Sequence, residues 1–375
     1  MGRNTKNRPP RKRSPSKIAA NQAARDAQLE KRQASKQYHL LSCFPGEFLR
    51  CKNNQAEVQT TIAANYNLAR LRRVVLPKDD NTTFLVPVPP LTDKQKKLVG
   101  PAMMPRILLS RPGFTPQANA WVEEIGQVPF LLARFVDVLT AEEQSLLYEA
   151  YQEFLAANPS RPEDRGKNRS DTAAYHFCLW AHYKLAAFIT RDSLQLKLKE
   201  PHRAQVLTLL DKFLSLVISL IVPRLSLLVN HYAPQHIAFM APVYEKIEAQ
   251  FAAEFLERPA LKLGPLFFAV AVKHGSSQYI HLDGNDFQAL WTFIVVISSK
   301  DGKWMGGDFF APQLGGRIPV RGGQAIAAQT KILAHCGMEV HGEGRLVLTC
   351  FSHNAMVAKA LFGPPKERRK AVVVG

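Results

Sequence analysis

Ala289-Leu-Trp-Thr-Phe-Ile-Val-Val-Ile-Ser298 is a run of aromatic and β-branched residues, the composition that suits a pleated, half-buried surface. Runs of the same character surround it at Pro265–Val272, Gly307–Ala311, Ile318–Val320, Gln324–Ala328 and Leu346–Phe351. Gly, Asp and Pro turns separate them at the intervals of a sandwich or barrel. The pattern predicts a compact antiparallel β core over 259–365. The chain before Pro259 reads differently. Thr140-Ala-Glu-Glu143 is a capping box that opens an amphipathic helix to about Ala157. Further helical patterns lie near 171–190, 202–230 and 241–257. An α+β architecture follows, with helices over 121–258 buttressing one sheet of the β core.

Upstream, Pro77, Pro87, Pro89, Pro90, Pro101, Pro105, Pro112 and Pro116 punctuate a basic segment. Residues 41–120 therefore read as an extended connector packed on the body, with short strands at Phe84–Val88 and Arg106–Leu109. Residues 1–16 are basic, Pro-rich and too poor in apolar groups to offset the entropy of ordering. Arg8 to Lys17 reads equally as a nuclear-localisation or phosphate-binding run and as a solvating tail. Residues 17–37 favour a helix with a thin apolar stripe.

The 375 residues carry 49 Lys+Arg against 31 Asp+Glu, a formal charge of +18, and 46% are hydrophobic. That apolar content excludes a wholly disordered or collagen-like chain. The charge points to nucleic acid or another anionic surface. It is concentrated on the flanks: residues 1–40 hold eleven basic and two acidic side chains, and the tail 366–375 holds four and one. Residues 99–365, by contrast, hold 25 and 23. Five cysteines without a CxxC spacing argue against a disulfide framework and a cysteine zinc site. No apolar signal segment opens the chain. The most apolar window, Val206–Val229, is interrupted by Asp211, Lys212, Pro223 and Arg224, which favours a buried amphipathic helix over a membrane span. No membrane partner is expected.

Tyr279-Ile-His281-Leu-Asp283-Gly-Asn-Asp286 lies within the β region. In a strand, residues i and i+2 share a face, so His281 and Asp283 can approach one ion together. Leu333-Ala-His335 follows 52 residues after Asp283, and Arg345 ten residues after that. Two imidazoles and one carboxylate leave three octahedral positions open, the facial triad of non-heme Fe(II) oxygenases. A buried arginine nearby suits the far carboxylate of a 2-oxo diacid. His341-Gly-Glu343 has a ligand-like spacing as well, but no arginine lies ten residues past the later His353. His274 lacks a carboxylate two positions on.

These features resemble the 2-oxoglutarate/Fe(II) dioxygenases of double-stranded β-helix (jelly-roll, cupin-like) fold. Within them the closer similarity is to the TET/JBP branch, particularly its transposon-associated fungal members. The resemblance spans about Phe267–His353 and includes Gly306-Gly-Asp-Phe-Phe-Ala-Pro-Gln-Leu-Gly315 and the Gly-Gly-Gln-Ala-Ile turn at 322–326. It implies Fe(II) on His281, Asp283 and His335, and 2-oxoglutarate on Arg345. It also implies that Asp286, three residues past the metal Asp, reads a flipped base. Phe351 and His353, six and eight residues past Arg345, would then stack on that base and contact its edge. Asn168 and Arg169 are weaker candidates for further base contacts. Val347 departs from the pattern, since many relatives place a serine two residues after the arginine.

The implied activity is oxidation of 5-methylcytosine in methylated double-stranded DNA to 5-hydroxymethylcytosine and onward, consuming O2, in the nucleus. Two alternatives remain open. One is an oxygenase acting on N6-methyladenine, RNA or a protein side chain. The other is a chromatin or transposon protein that binds nucleic acid without turnover.

Overall fold

Cross-strand pairing of the β-branched runs organises the chain. The computed structural model describes residues 84–87, 130–162, 173–181, 186–276, 281, 283, 285–287, 290–311, 316–331, 333 and 335–362. The strand expected at Arg106–Leu109, the candidates Asn168 and Arg169, and both basic termini lie outside these residues.

In chain order the strands are β1 (Phe84–Pro87), β2 (Phe130–Phe135), β3 (Tyr175–Ala181), β4 (Ala187–Ile189), β5 (Ala269–His274), β6 (Thr292–Gly306), β7 (Phe309–Ala311), β8 (Gly316–Ile318), β9 (Ala325–Ala328), β10 (Cys336–Gly337) and β11 (Val340–Phe351). The helices are α1 (Ala141–Ala156), α2 (Arg191–Leu194), α3 (His202–Leu216), α4 (Val222–Tyr232), α5 (Pro234–Gln250), α6 (Ala252–Glu257) and α7 (Asn354–Phe362). One eight-stranded sheet runs β1-β2-β9-β6-β11-β5-β3-β4, and a three-stranded sheet runs β10-β7-β8. Every pairing is antiparallel. The architecture is the expected α+β jelly roll with helices against one sheet.

The alternation of side chains decides which face does what. Val270 and Val272 of β5, Phe293, Val295 and Ile297 of β6, and Leu346, Leu348 and Cys350 of β11 join one core cluster with the helices. Their neighbours Ile294, Val296 and Ile326 face the other way, where Phe309, Ile318, Val320 and Leu333 belong to a second, smaller cluster. The large sheet thus has a helical side and a pocket side.

The capping box forms as the sequence indicates: Thr140 Oγ1 accepts from Glu143 N, and Glu143 Oε2 accepts from Thr140 N at 2.9 Å. Leu147, Ala150, Tyr151 and Phe154 make the buried stripe of α1. Gln144 ties this helix to the sheet, accepting from Ser298 N at 3.0 Å. Between α3 and α4 a π-helical turn, Val217–Ile221, widens the backbone just ahead of Pro223, which has no N–H for a regular i→i−4 bond. His202–Tyr232 is long and apolar enough to cross a membrane. In this fold its Val206, Leu210, Phe213, Val217, Ile221, Leu225 and Val229 are buried in the core shared with the sheet.

One helical expectation is corrected. Residues near 171–190 form β3 and β4, and β3 pairs with β5 through Tyr175↔Val272, His176↔Ala271 and Phe177↔Val270. Tyr175-His-Phe-Cys-Leu-Trp-Ala181 is rich in aromatics, and sheet packing overrides its helical reading. Strands from before Pro259 therefore widen the β core.

Candidate active site

β5 leaves the sheet at Gly275, whose φ of 75° is open to glycine without strain. The chain returns to the core at His281, and this return builds the ion site. His281 and His335 exchange both main-chain hydrogen bonds at 3.0 Å, forming an isolated antiparallel bridge. Asp283 N donates to Thr330 O at 3.1 Å, and Asp286 N closes a turn onto Asp283 O at 2.9 Å. The two early ligands do not lie in the regular strand that their spacing suggested. The bridge and the turn, at Asp283-Gly-Asn-Asp286, replace strand pairing.

The three side chains nonetheless converge. His335 Nε2 lies 3.5 Å from Asp283 Oδ2, and His281 Nε2 lies 3.9 Å from Asp283 Oδ1. One donor atom from each lies within 4.8 Å of the others. His335 Nδ1 is 2.9 Å from Leu333 O. Donation to that carbonyl leaves Nε2 with its lone pair toward the site, the tautomer a metal ligand needs. Phe309 stacks on the His335 ring at 5.3 Å and fixes its plane. This donor set fits Fe(II): mixed imidazole and carboxylate, on one side of an ion, without thiolate.

Arg345 stands on the pocket face of β11 and is 5% exposed. It makes no ion pair among the described residues. Its Nη2 donates to Gly307 O at 3.0 Å and its Nη1 to Gly275 O, while Nε has no partner. Trp304 lies under the guanidinium, 5.2 Å from ring centroid to Cζ. Burial pushes the Arg345 pKa down to about 10; Asp308 opposes that shift, and nearby Arg321 adds to it. A positioned, buried cation without a carboxylate partner is an anion site. It fits the far carboxylate of 2-oxoglutarate.

Asp286 and His353 are brought together by a second isolated bridge, flanked by Phe287 N to Ser352 O and Asn354 N to Asn285 O, both 2.8 Å. The Thr292 and Thr330 hydroxyls reach Asp286 Oδ2 at 2.5 and 3.0 Å. Thr330 Oγ1 also lies 2.8 Å from Thr292 Oγ1, so its single proton serves one of the two oxygens, and donation from Thr292 favours the ionised carboxylate. Lys331 Nζ donates to Asp286 O at 3.2 Å; burial pushes its ammonium down to about 8, opposed by the charge of Asp286. His353 Nδ1 accepts from Ala355 N at 3.2 Å, so the neutral ring carries its proton on Nε2. Phe351 is buried, and Trp180 packs on it edge to face at 5.5 Å and on His353 at 5.1 Å.

The triad, Asp286, Arg345, Phe351 and His353 line one cavity of about 120 Å³. A single water needs only roughly 10–15 Å³ by the same kind of measure. Among the lining residues that the sequence reading missed are His176, Trp180, Lys273 and Ser276. For the first two the signal was present, since a strand reading of 175–181 puts His176 and Trp180 on one face. His341 and Glu343 are exposed on the far arm of β11, and His274 packs against Tyr148 and Tyr151 on the helical side.

No family model matches the chain, and no curated protein matches it. Among solved structures it is similar to NgTET1 in complex with 5mC DNA, at 13% identity over 60% of this chain and 74% of that one, with a TM-score of 0.36. It is also similar to the viral collagen prolyl hydroxylase of Paramecium Bursaria Chlorella virus-1. In its 2OG complex that protein shows 13% identity over 59% of this chain and 94% of that one, with a TM-score of 0.24. A truncated form shows 19% identity over 29% and 67%, with a TM-score of 0.19. What the pocket can do follows from its own residues.

Proposed function

We propose that the chain is a 2-oxoglutarate/Fe(II)-dependent dioxygenase that oxidises the methyl group of 5-methylcytosine in double-stranded DNA. The observation that carries this reading is the Asp286–His353 bridge beside the triad. Residues paired in this way share a face, so the bridge sets the Asp286 carboxylate and the His353 ring, with its Nε2–H, toward one cavity. An extruded cytosine offers the complementary edge, an amino donor next to a ring acceptor. Thymine and uracil present the reverse order and leave both protein groups unsatisfied, at a cost of about 1–3 kcal/mol each. Phe351 and Trp180 supply π-faces for the ring.

His281, Asp283 and His335 would hold the iron, and Arg345 would orient 2-oxoglutarate. Together, iron and co-substrate supply dioxygen activation, coupling oxidative decarboxylation to succinate and CO2 with insertion of one oxygen atom into a substrate C–H bond. Ile294, Val296, Val320 and Ile326 wall the cavity with apolar groups, which limits water at the reacting carbon. Extruding a base costs a few kcal/mol, and the basic residues 1–40 on phosphates would offset part of that cost. A nuclear location accords with that basic run.

The adenine edge has the same donor–acceptor order as cytosine, so N6-methyladenine is the second reading. Nucleoside mass spectrometry separates the two after incubation with DNA carrying either mark, Fe(II), ascorbate and 2-oxoglutarate. We expect 5-hydroxymethylcytosine from the first DNA and none from a His281→Ala control. Loss of N6-methyladenine alone would move the assignment to the second reading. No change in either DNA, with no succinate formed, would reject the enzyme.

A further inference from the structure

A carboxylate has two oxygens and about four acceptor sites. Arg345 has five N–H donors, two of which already go to the carbonyls of Gly275 and Gly307, so at most three remain for those four sites. The next pocket-facing residue on β11 is Val347, which has no donor. Further donors lie across the ladder, on β5 and just past its end.

Val347 is directly paired with Lys273. Residues directly opposite on antiparallel strands share a face, with Cβ atoms about 4.5–5.5 Å apart. Lys273 is 8% exposed and lines the cavity with Val347 and Arg345. Three residues on stands Ser276, also 8% exposed and also lining the cavity, whose buried Oγ has no hydrogen-bond partner among the described residues. Gly275, between them in sequence, holds Arg345 twice: its carbonyl accepts from Nη1, and its N–H donates to Arg345 O at 3.4 Å. A second buried cation on β5, and a hydroxyl just past its end without a hydrogen-bond partner among the described residues, thus share the cavity with the guanidinium.

We propose that Lys273 and Ser276 complete, with Arg345, the cradle for the far carboxylate of 2-oxoglutarate. The inference rests on the reading of this pocket as a 2-oxoglutarate site and adds residues that neither the motif spacing nor β11 supplies. The ammonium donates from β5, the hydroxyl from just past the end of that strand and the guanidinium from β11, so the carboxylate is gripped across the strand pair. The geometry explains how valine is tolerated two residues after the arginine.

The test is an anaerobic titration of the Fe(II)-loaded full chain, followed by its visible charge-transfer band. Two ligands are compared: 2-oxoglutarate, and pyruvate, which has the same 2-oxo acid head but no far carboxylate. Lys273→Met should weaken 2-oxoglutarate by about ten- to a hundredfold, as loss of a charge-assisted contact does. Ser276→Ala should weaken it by about three- to tenfold, and Lys273→Arg should hold it within a few-fold. Pyruvate affinity should stay unchanged in all three, which also shows that each variant is folded around its metal. Unchanged 2-oxoglutarate affinity in Lys273→Met and Ser276→Ala overturns the proposal, as does an equal loss for both ligands. If the wild-type chain binds Fe(II) but gives no band with 2-oxoglutarate, the reading of the pocket itself fails and takes the cradle with it.

Discussion

Substituting Gly307 by alanine should damage co-substrate binding without touching a charged group. Gly307 has φ of 69°, and a Cβ built there lies 2.8 Å from both Cζ and Nε of Arg345 and 3.0 Å from Val340 Cγ2. The backbone cannot easily withdraw. Gly307 N donates to Glu339 O at 2.9 Å, and its carbonyl accepts from Arg345 Nη2. The guanidinium must therefore move. Left-handed backbone at alanine costs about 1–2 kcal/mol, which should appear as lost stability in urea or thermal unfolding. Loss of one charge-assisted contact to the carboxylate adds about 1.5–3 kcal/mol in binding, a roughly ten- to hundredfold weaker 2-oxoglutarate Kd. Gly275→Ala is the matched control: φ is 75°, and a Cβ there meets nothing within 4 Å. It should lose similar stability while keeping most of its 2-oxoglutarate affinity. Fe(II) affinity without co-substrate should be unaltered in both, since the triad lies on other segments. If folded Gly307→Ala binds 2-oxoglutarate within twofold of wild type, Arg345 is not the carboxylate grip.

Three further outcomes follow from the same geometry. Saturating Fe(II), at about a hundred times its Kd, should stabilise the wild-type chain by about 2.7 kcal/mol; in His281→Ala a thermal-shift assay should find little of that gain, and an equal gain would dissolve the triad. His236 is 1% exposed and stacked on Trp291, and burial, opposed by the Ala233 backbone, pushes its imidazole down to about 4. The unfolded chain takes up that proton near pH 6.5 and the folded chain only near 4, so stability is full above 6.5 and falls as pH drops through this window, by up to about 1.4 kcal/mol per pH unit. His236→Leu should flatten that decline in urea melts, and parallel curves for the two proteins would refute the account. Removing residues 1–40, with eleven basic and two acidic side chains, should weaken DNA binding and make it less steeply salt-dependent while leaving Fe(II) affinity intact; an unchanged salt slope would place the phosphate contacts elsewhere.

Much of the β core is legible in the sequence because β-branched runs with period-two burial carry their own signal. Phe293, Val295 and Ile297 face the helices while Ile294 and Val296 face the pocket. The capping box at Thr140 is equally local, since all its atoms lie within four residues. β3 was hidden for the opposite reason. Tyr175–Ala181 becomes a strand through pairing with β5, almost a hundred residues later, and no local feature announces that partner. The same non-locality hid Lys273 and Ser276. Their place beside Arg345 is a matter of register between β5 and β11, which spacing along one chain segment does not reveal. The triad shows both effects at once: its residues were nameable from spacing, but the bridge of His281 to His335 that aligns them was not.

Register also gives physical meaning to the intervals after Arg345. Val347, Thr349 and Phe351 follow it at steps of two and all line the cavity, whereas Leu346, Leu348 and Cys350 enter the helical core. A residue six positions on must therefore share the arginine's face, roughly 20 Å along the strand. Eight positions on, the strand has ended. His353 reaches the pocket by a different device, its ring held at the start of α7 by the Ala355 amide and its backbone bridged to Asp286. One continuous strand thus fixes the distance between Arg345 and Phe351, and a helix start fixes the proton on Nε2 of His353. Neither device draws on the basic flanks, and residues 99–365 hold 25 basic against 23 acidic side chains. On the function proposed above, adhesion to a polyanion and selection of a base fall to different parts of the chain, so affinity for nucleic acid and choice of substrate should vary independently under mutation.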